Sequence, residues 1–285
     1  MTGDSPERPT ARSVGADNEG PSEGGAVATL VHDGVTLAYE QAGSGDPPMV
    51  FVHGWTCDHT YFAPQFEHFA SSHRVVAVDL RGHGASDAPE SGYGIDVLAE
   101  DVAYLCDELG VSGAVVVGHS MGALVAVELG ANHGSLSVAL VLVDPALIAP
   151  GPEMVASLSA FVAVMAGPDP VEARRGFAAS RLFLPTDDTG LKARILEEMA
   201  SVPNHVARGC FEAMVTWPGG EAIRRVDVPV LAIHAHSPIN APEHLAALCP
   251  TLANARTPGV GHFNQLLAPA EVNRLIEDFA ARVVG

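Results

Sequence analysis

Short apolar runs alternate along the chain with segments whose apolar residues recur at helical spacing. Five runs are nearly continuous: Met49–Val52, Arg74–Val78, Ala114–Val117, Val138–Val143 and Val230–Ile233. Such runs are typical of strands that lie buried on both faces of a parallel sheet. The periodicity predicts helices between and after them, at residues 60–71, 95–109, 121–133, 241–249 and 269–283. This order predicts an α/β protein with right-handed crossover connections.

The first part of the chain departs from this alternation. Thr29–His32 and Val35–Glu40 flank the turn sequence Asp33-Gly34, which predicts an antiparallel hairpin at a sheet edge. Residues 1–25 are rich in Gly, Ser, Pro, Glu and Asp and lack the apolar centre of a signal peptide. We therefore expect a disordered N-terminal tail.

A second departure follows Asp144, where the alternation stops until Val228. Residues 145–225 predict several helices joined by Pro/Gly loops, which we interpret as a helical cap inserted after the sixth strand. Residues 26–144 and 226–285 then form the sheet-containing core. Most apolar cap residues should pack the cap, and some should cover the site below: Phe161, Met165, Phe177, Leu182, Phe183, Met199, Phe211, Met214 and Trp217.

The strongest candidate for chemistry is Ser120, which lies between two glycines where a strand run changes to helical spacing. The sequence Gly118-His119-Ser120-Met121-Gly122 predicts a nucleophile elbow, a sharp turn that raises a serine above the sheet. Side chains at Gly118 and Gly122 would collide with neighbouring backbone. The bare pattern is weak because Gly and Ser are common in turns, but its strand-to-helix context strengthens it.

A serine hydroxyl needs a base, and His262 is the best candidate of thirteen histidines. It lies in a glycine-rich loop before the final helix, and serine precedes histidine as in elbow enzymes. A developing oxyanion also needs two preorganised N–H donors. We expect these from Met121 and from Trp55, which follows a strand in the sequence His53-Gly54-Trp55.

Composition narrows the remaining options. The net charge of −19 with a single lysine, Lys192, provides no basic stripe for a nucleic acid. The four scattered cysteines suit buried, reduced thiols better than disulfides or a zinc site. No apolar stretch approaches the ~20 residues that span a bilayer. We expect a soluble, cytoplasmic protein without a membrane partner, and leave a homodimer open.

Together these motifs carry a family resemblance. His53-Gly54-Trp55, the loop Asp79–Asp87, the elbow around Ser120 and Gly261-His262-Phe263 resemble, in this order, the α/β-hydrolase superfamily, specifically its capped serine hydrolases of esterase and lactonase type. The resemblance covers about residues 27–284. It implies a mostly parallel eight-stranded sheet with an inserted cap, and a structural role for the Asp79–Asp87 loop.

A serine and a histidine of this kind usually act with a third residue, an acid that holds the histidine, and together they form a catalytic triad. The commonest family pattern places this acid, an aspartate, just after the seventh strand. Here no carboxylate precedes Glu243 in that region. Asp144 ends the neighbouring sixth strand, and strands lie only ~4.8 Å apart, so it can reach a histidine above the fifth strand. The resemblance includes lactonases with an acid at this position. For the acid that holds His262, Asp144 is our first choice and Glu243 the second. His236 and Asn240 could orient His262 only through weaker neutral hydrogen bonds. The alternative role of Asp144 is to cap the turn that leads into Pro145.

These observations predict a serine hydrolase that cleaves a carboxylic ester or lactone through an acyl-enzyme. No metal or organic cofactor is expected, since His53, His59, His83 and His119 lack the helical His-Glu-x-x-His spacing. Alternatives on the same fold are C–C bond or thioester hydrolysis and cofactor-free dioxygenation. A more distant alternative is a non-catalytic ligand-binding receptor module.

Overall fold

A computed structural model describes residues 27–283, so the predicted tail lies outside the described residues. Eight strands form one sheet in the order β1-β2-β4-β3-β5-β6-β7-β8. Their bounds are Ala28–His32 (β1), Val35–Ala42 (β2), Met49–Val52 (β3), Val75–Val78 (β4), Ala114–His119 (β5), Ser137–Val143 (β6), Val230–His234 (β7) and Ala253–Arg256 (β8). Pairing is parallel from β4 to β8, and β2 is antiparallel to β1 and β4. The predicted mostly parallel eight-stranded sheet is confirmed.

Helices account for most of the remaining chain. They are Ala63–Phe69 (α1), Ile95–Glu108 (α2), Met121–Asn132 (α3), Pro152–Met165 (α4), Pro170–Arg181 (α5), Thr189–Ser201 (α6), Asn204–Thr216 (α7), Gly219–Arg224 (α8), Pro242–Leu248 (α9), Asn264–Leu267 (α10) and Pro269–Val283 (α11). Within residues 27–283, no helix is long and apolar enough to cross a membrane.

The helix predicted at residues 60–71 needs a correction. Residues His59–Phe62 form a 3-10 turn instead, and the α-helix begins only at Ala63. The Asp58 side chain accepts the N–H of Thr60 at 2.9 Å and starts the turn. Pro64 then occupies the first turn of α1, where its missing N–H costs no hydrogen bond.

Two apolar layers cover the sheet because neighbouring residues of a strand face opposite sides. In β5, Val116 belongs to the larger core cluster, with α2, α3 and the cap helices, whereas Val115 and Val117 belong to the other. The second cluster includes residues of α1 and α11. Both faces of the central strands are therefore buried, as their continuous apolar runs predict.

Five helices, α4–α8, connect β6 to β7. α8 packs on α3 of the core, α4 packs on α5 and α7, and α5 packs on α6. The long insertion thus leaves the sheet at the end of β6 and returns at β7. The insertion therefore lies at the carboxyl ends of the parallel strands, where β5 ends in the elbow.

Candidate active site

Ser120 occupies the turn between β5 and α3 with φ 52° and ψ −113°. A positive φ is strained for a non-glycine residue, so neighbouring contacts must stabilise it. The Ser120 N–H donates to the carbonyl of Val143 at 3.0 Å, and the Ser120 carbonyl accepts the N–H of Ala146 at 3.1 Å. The end of β6 therefore fixes the conformation of the serine.

The two glycines of the elbow permit close backbone contacts. A Cβ on Gly118 would lie 2.2 Å from the carbonyl oxygen of Gly122, and one on Gly122 would lie 2.1 Å from that of Val52. Both contacts are with backbone, which cannot move aside as a flexible side chain can. The sequence-based reason for these glycines is confirmed.

The backbone of His262 is fixed on both sides. Its N–H donates to the carbonyl of Leu182 at 2.9 Å, and its carbonyl accepts a hydrogen bond from Nε2 of His119 at 3.1 Å. Burial lowers the pKa of His119 well below its usual value, so this ring stays neutral. Sequence reasoning missed this role of His119, since only the fold brings it to the C-terminal loop.

Asp144 lies at the end of β6 and hydrogen-bonds His262 directly. Its Oδ2 is 2.7 Å from Nδ1 of His262, and its Oδ1 accepts the N–H of Ala235 at 3.1 Å. Its side chain is only 1% exposed. The carboxylate is thus oriented by the residue that follows β7 and is directed at the ring nitrogen of the histidine.

The other residues considered for this role lie elsewhere. Glu243 is exposed in the first turn of α9, and His236 is exposed and accepts the N–H of Gly259 at 3.2 Å. Asn240 is buried, but its side chain bonds the backbone at residues 145, 146 and 148. None of the three has a hydrogen bond to His262 in the described part of the chain.

The two expected oxyanion donors flank the serine. Gly54 lets the loop after β3 approach the elbow, because a Cβ there would lie 3.2 Å from Cβ of Ser120. Across residues 27–283, neither the N–H of Trp55 nor that of Met121 donates a hydrogen bond. Unpaired backbone donors beside a strained serine are what a bound oxyanion needs.

Two buried histidines position the loop around Trp55. Nδ1 of His53 donates to the carbonyl of Gly54 at 2.8 Å, and the N–H of Thr56 donates to Nε2 of His83 at 3.2 Å. Nδ1 of His83 donates to the carbonyl of Arg81 at 3.0 Å. His83 must therefore be neutral, because its Nε2 accepts a hydrogen bond.

Burial is the main cause that lowers the pKa of His83, to about 3. A folded-state pKa below the unfolded value means that the unfolded chain binds more protons as pH falls below about 6.5, so stability is lost in acid. At pH 5 this histidine alone should cost about 2 kcal/mol of unfolding free energy relative to neutral pH. Urea unfolding of the wild type and His83→Gln at pH 7.5 and 5 measures the difference.

The exposed residue His68 provides the control for this experiment. His68 forms an ion pair with Glu277 at 2.7 Å, and its removal cannot make the protein more resistant to acid. We therefore expect His83→Gln to reduce the acid loss of stability and His68→Gln not to reduce it. The pKa of His59, raised by its hydrogen bond to Asp79, acts in the opposite direction in all three proteins. An equal acid loss in His83→Gln and wild type would contradict the assignment.

A buried aspartate of the cap, Asp187, contacts the loop that carries His262. Its Oδ1 accepts the N–H of Gly261 at 3.1 Å, and its Oδ2 accepts the N–H of Leu184 at 2.8 Å. A Cβ on Gly261 would lie 2.4 Å from that carboxylate, which explains the glycine. Asp187 is therefore a positioning residue that links the cap to the histidine loop.

We expect Asp187→Asn to lower kcat about tenfold with little change in KM, because an amide cannot accept both N–H groups. Steady-state kinetics well below the melting temperature measures this effect. The neighbouring Asp188→Asn is the matched control, since Asp188 caps α6 and accepts the N–H of Leu191. Lower stability with unchanged kcat in Asp187→Asn would leave Asp187 a purely structural role.

A cavity of about 460 Å³ lies between the elbow and the cap, and Ser120 and His262 both line it. Of the cap residues expected above the site, six line it, whereas Met165, Phe183 and Trp217 do not; the six are Phe161, Phe177, Leu182, Met199, Phe211 and Met214. Three of these phenylalanines pack together with ring centroids 4.4–5.6 Å apart.

The indole of Trp55 joins the elbow side of the cavity to the cap. Its Nε1 donates to the carbonyl of Ala207 at 2.7 Å, and the ring packs edge-on against Phe211 at 5.1 Å. Trp55 also lines the cavity. The side chain of Trp55 therefore links the loop after β3 to the cap, while its backbone N–H stays free of hydrogen bonds within residues 27–283.

Asp58, His59 and Asp79 lie within metal-ligand reach of one another. Asp79 already forms hydrogen bonds within the fold. Its Oδ1 accepts hydrogen bonds from the backbone N–H and from Nδ1 of His59, each at 2.8 Å, and its Oδ2 accepts one from the N–H of Ala85. The group fits the structural role implied for the loop that begins at Asp79.

Comparison with known proteins agrees with this fold. A family model for the alpha/beta hydrolase fold matches residues 47–269. The 2-(acetamidomethylene)succinate hydrolase of Mesorhizobium japonicum is 31% identical over 86% of this chain and 91% of its own.

Two solved structures extend this likeness. The esterase RhEst1 from a Rhodococcus species is 26% identical with a TM-score of 0.76, over 90% of this chain and 99% of its own. Est816, an N-acyl homoserine lactone degrading enzyme, is 25% identical with a TM-score of 0.77, over 88% of this chain and 100% of its own.

Proposed function

The chain belongs to the α/β-hydrolase fold family, and we propose that it is a serine hydrolase that cleaves a carboxylic ester or lactone. The observation that carries the proposal is the 2.7 Å hydrogen bond between Asp144 and His262, in a site where His262 and the strained Ser120 line one cavity. A buried carboxylate, an imidazole and an elbow serine are the parts that acyl transfer requires.

In the first half-reaction, Oγ of Ser120 attacks the carbonyl carbon while Nε2 of His262 takes the hydroxyl proton. Asp144 accepts the Nδ1–H of the resulting imidazolium and stabilises its charge. The carbonyl oxygen becomes an oxyanion and accepts hydrogen bonds from the backbone N–H groups of Trp55 and Met121. Its collapse breaks the C–O bond, and His262 returns the proton to the leaving alkoxide.

In the second half-reaction, water attacks the acyl-enzyme with His262 as the base. The bond between the carbonyl carbon and Oγ of Ser120 breaks, and the serine regains its proton from His262. The products are a carboxylic acid and an alcohol. From a lactone, both groups remain on one hydroxy acid.

The choice of ester or lactone rests on the cavity and on the relatives. Phenylalanine, methionine and leucine side chains form most of its cap side, which favours small or medium apolar acyl groups. The family resemblance implies that dehalogenases and epoxide hydrolases of this fold have an aspartate at the elbow. The serine at this position therefore favours ester or lactone cleavage over those two reactions. The names of the two solved relatives, an esterase and a lactone-degrading enzyme, agree with this choice.

A substrate panel combined with an active-site label tests the proposal. We expect acid release from short-chain esters or lactones, no turnover of epoxides, and loss of turnover in step with fluorophosphonate modification of Ser120. Folded protein that hydrolyses no ester or lactone and takes up no label would contradict the proposal and favour a ligand-binding module.

A further inference from the structure

The cavity that Ser120 and His262 line is mainly apolar and is bordered by one permanently charged side chain, Arg181. Among the residues described as lining it, Arg181 is the only arginine or lysine, and no aspartate or glutamate lines it. Arg181 is the last residue of α5 and is exposed. Among the side-chain hydrogen bonds and ion pairs within residues 27–283, none involves its guanidinium.

Other cationic residues of α5 and α6 have partners in the cap itself. Arg174 donates to the carbonyls of Val202 and Ala200, and Arg175 pairs with Glu197 at 2.9 Å. Lys192 lies over the ring of Phe183 at 5.2 Å. Arg181 thus differs from its neighbours because it faces the cavity without a carboxylate beside it.

The location of Arg181 also brings it close to the reacting groups. The next residue, Leu182, lines the cavity and accepts the N–H of His262 at 2.9 Å. A basic residue in the last turn of a helix is favourable by itself, which explains the end of α5. It does not explain why this residue lines the cavity that Ser120 also lines.

Arg181 provides a local positive charge in a protein whose net charge is −19. An acidic protein repels anions in general, but salt screens that repulsion beyond about 8–10 Å. An exposed, unpaired guanidinium that borders a mainly apolar cavity therefore attracts an anion locally, and its planar donors match a carboxylate.

We propose that Arg181 binds a carboxylate of the substrate, so that the preferred substrates are esters or lactones with an apolar body and one anionic group. This inference rests on the proposed hydrolase function and names its substrate class. The apolar wall of the cavity contacts the body of the substrate, and Arg181 fixes the end that carries the charge.

Matched ester pairs test this specificity. One pair is 4-nitrophenyl hexanoate and 4-nitrophenyl hemiadipate, with the charge in the acyl chain; the other is phenyl butyrate and 4-butyryloxybenzoate, with the charge in the leaving group. In at least one pair, Arg181→Gln should lower kcat/KM for the anionic ester 10- to 100-fold and for the neutral ester less than twofold. Arg181→Lys should retain part of the preference, and Arg175→Gln, at a residue that does not line the cavity, should change neither value.

Equal losses for both members of each pair, or no loss for either anionic ester, would overturn the role of Arg181 while leaving the hydrolase function intact. Binding of adipate and of 4-butyryloxybenzoate to the Ser120→Ala protein, measured by calorimetry, provides a test that needs no turnover. Binding that disappears when Arg181→Gln is added supports the inference. Equal binding with and without Arg181, or none in either protein, contradicts it, whereas failure of the hydrolase proposal shows as absent turnover of all esters.

Discussion

Replacement of Ser120 with alanine is expected to lower kcat for ester hydrolysis by about 10⁶-fold. In the proposed mechanism, His262 and Asp144 act on a proton that only the serine hydroxyl supplies, so the other groups lose their function with it. Alanine removes one oxygen and keeps the Cβ, and the backbone contacts of Ser120 to Val143 and Ala146 do not involve the hydroxyl. Initial rates with a chromogenic ester and a melting curve measure activity and folding separately.

The same variant separates the covalent mechanism from the other chemistries considered for this fold. If His262 and Asp144 act as a base on the substrate or on water, as in cofactor-free dioxygenation, the serine has a smaller role. Folded Ser120→Ala protein that retains a substantial fraction of the wild-type rate would contradict the acyl-enzyme mechanism.

Replacement of Asp144 with asparagine is expected to lower kcat by about 10⁴-fold. The carboxylate accepts two hydrogen bonds, one from His262 and one from the N–H of Ala235. In the Asp144→Asn variant, the amide oxygen accepts the N–H of Ala235, and the NH₂ group then faces His262. To accept a hydrogen bond from this group, Nδ1 of His262 must be unprotonated, so the ring carries its proton on Nε2. In that tautomer, the nitrogen needed by Ser120 cannot accept a proton.

The asparagine variant should still fold. Asp144 has φ 35°, a conformation that asparagine tolerates better than most residues. Glu243→Gln is the matched control, because it makes the same chemical change at an exposed position in α9. We expect its kcat to stay within twofold of wild type, and a wild-type rate in Asp144→Asn would show that the triad acid lies elsewhere.

The sheet was predictable because a strand buried on both faces needs a continuous apolar run, and these runs occur in β3, β4, β5, β6 and β7. The edge strand β8, Ala253–Arg256, has no such run because most of its residues are exposed. The helices between β6 and β7 were predictable from their spacing, but their packing depends on contacts such as those among Phe161, Phe177 and Phe211.

The candidate site was predictable where chemistry imposes a local pattern. The glycines of the elbow reflect backbone contacts within a few residues, and the proximity of Asp144 to the elbow follows from adjacent strands. The supporting residues have no comparable signal. His119 reaches a loop 143 residues away, and Asp187 reaches Gly261 across 74 residues. Such contacts arise only when the cap and the C-terminal loop pack together.

The central claim is that the acyl group of the substrate passes through Ser120. Rapid acid quench of wild-type protein during turnover of a 4-nitrophenyl ester, followed by intact-mass and peptide analysis, tests it most directly. We predict a mass increase equal to the acyl group on the peptide that contains Ser120, which is absent in Ser120→Ala. Fast turnover with an acyl group on another residue, or a burst of nitrophenol without any acylated peptide, would contradict the account.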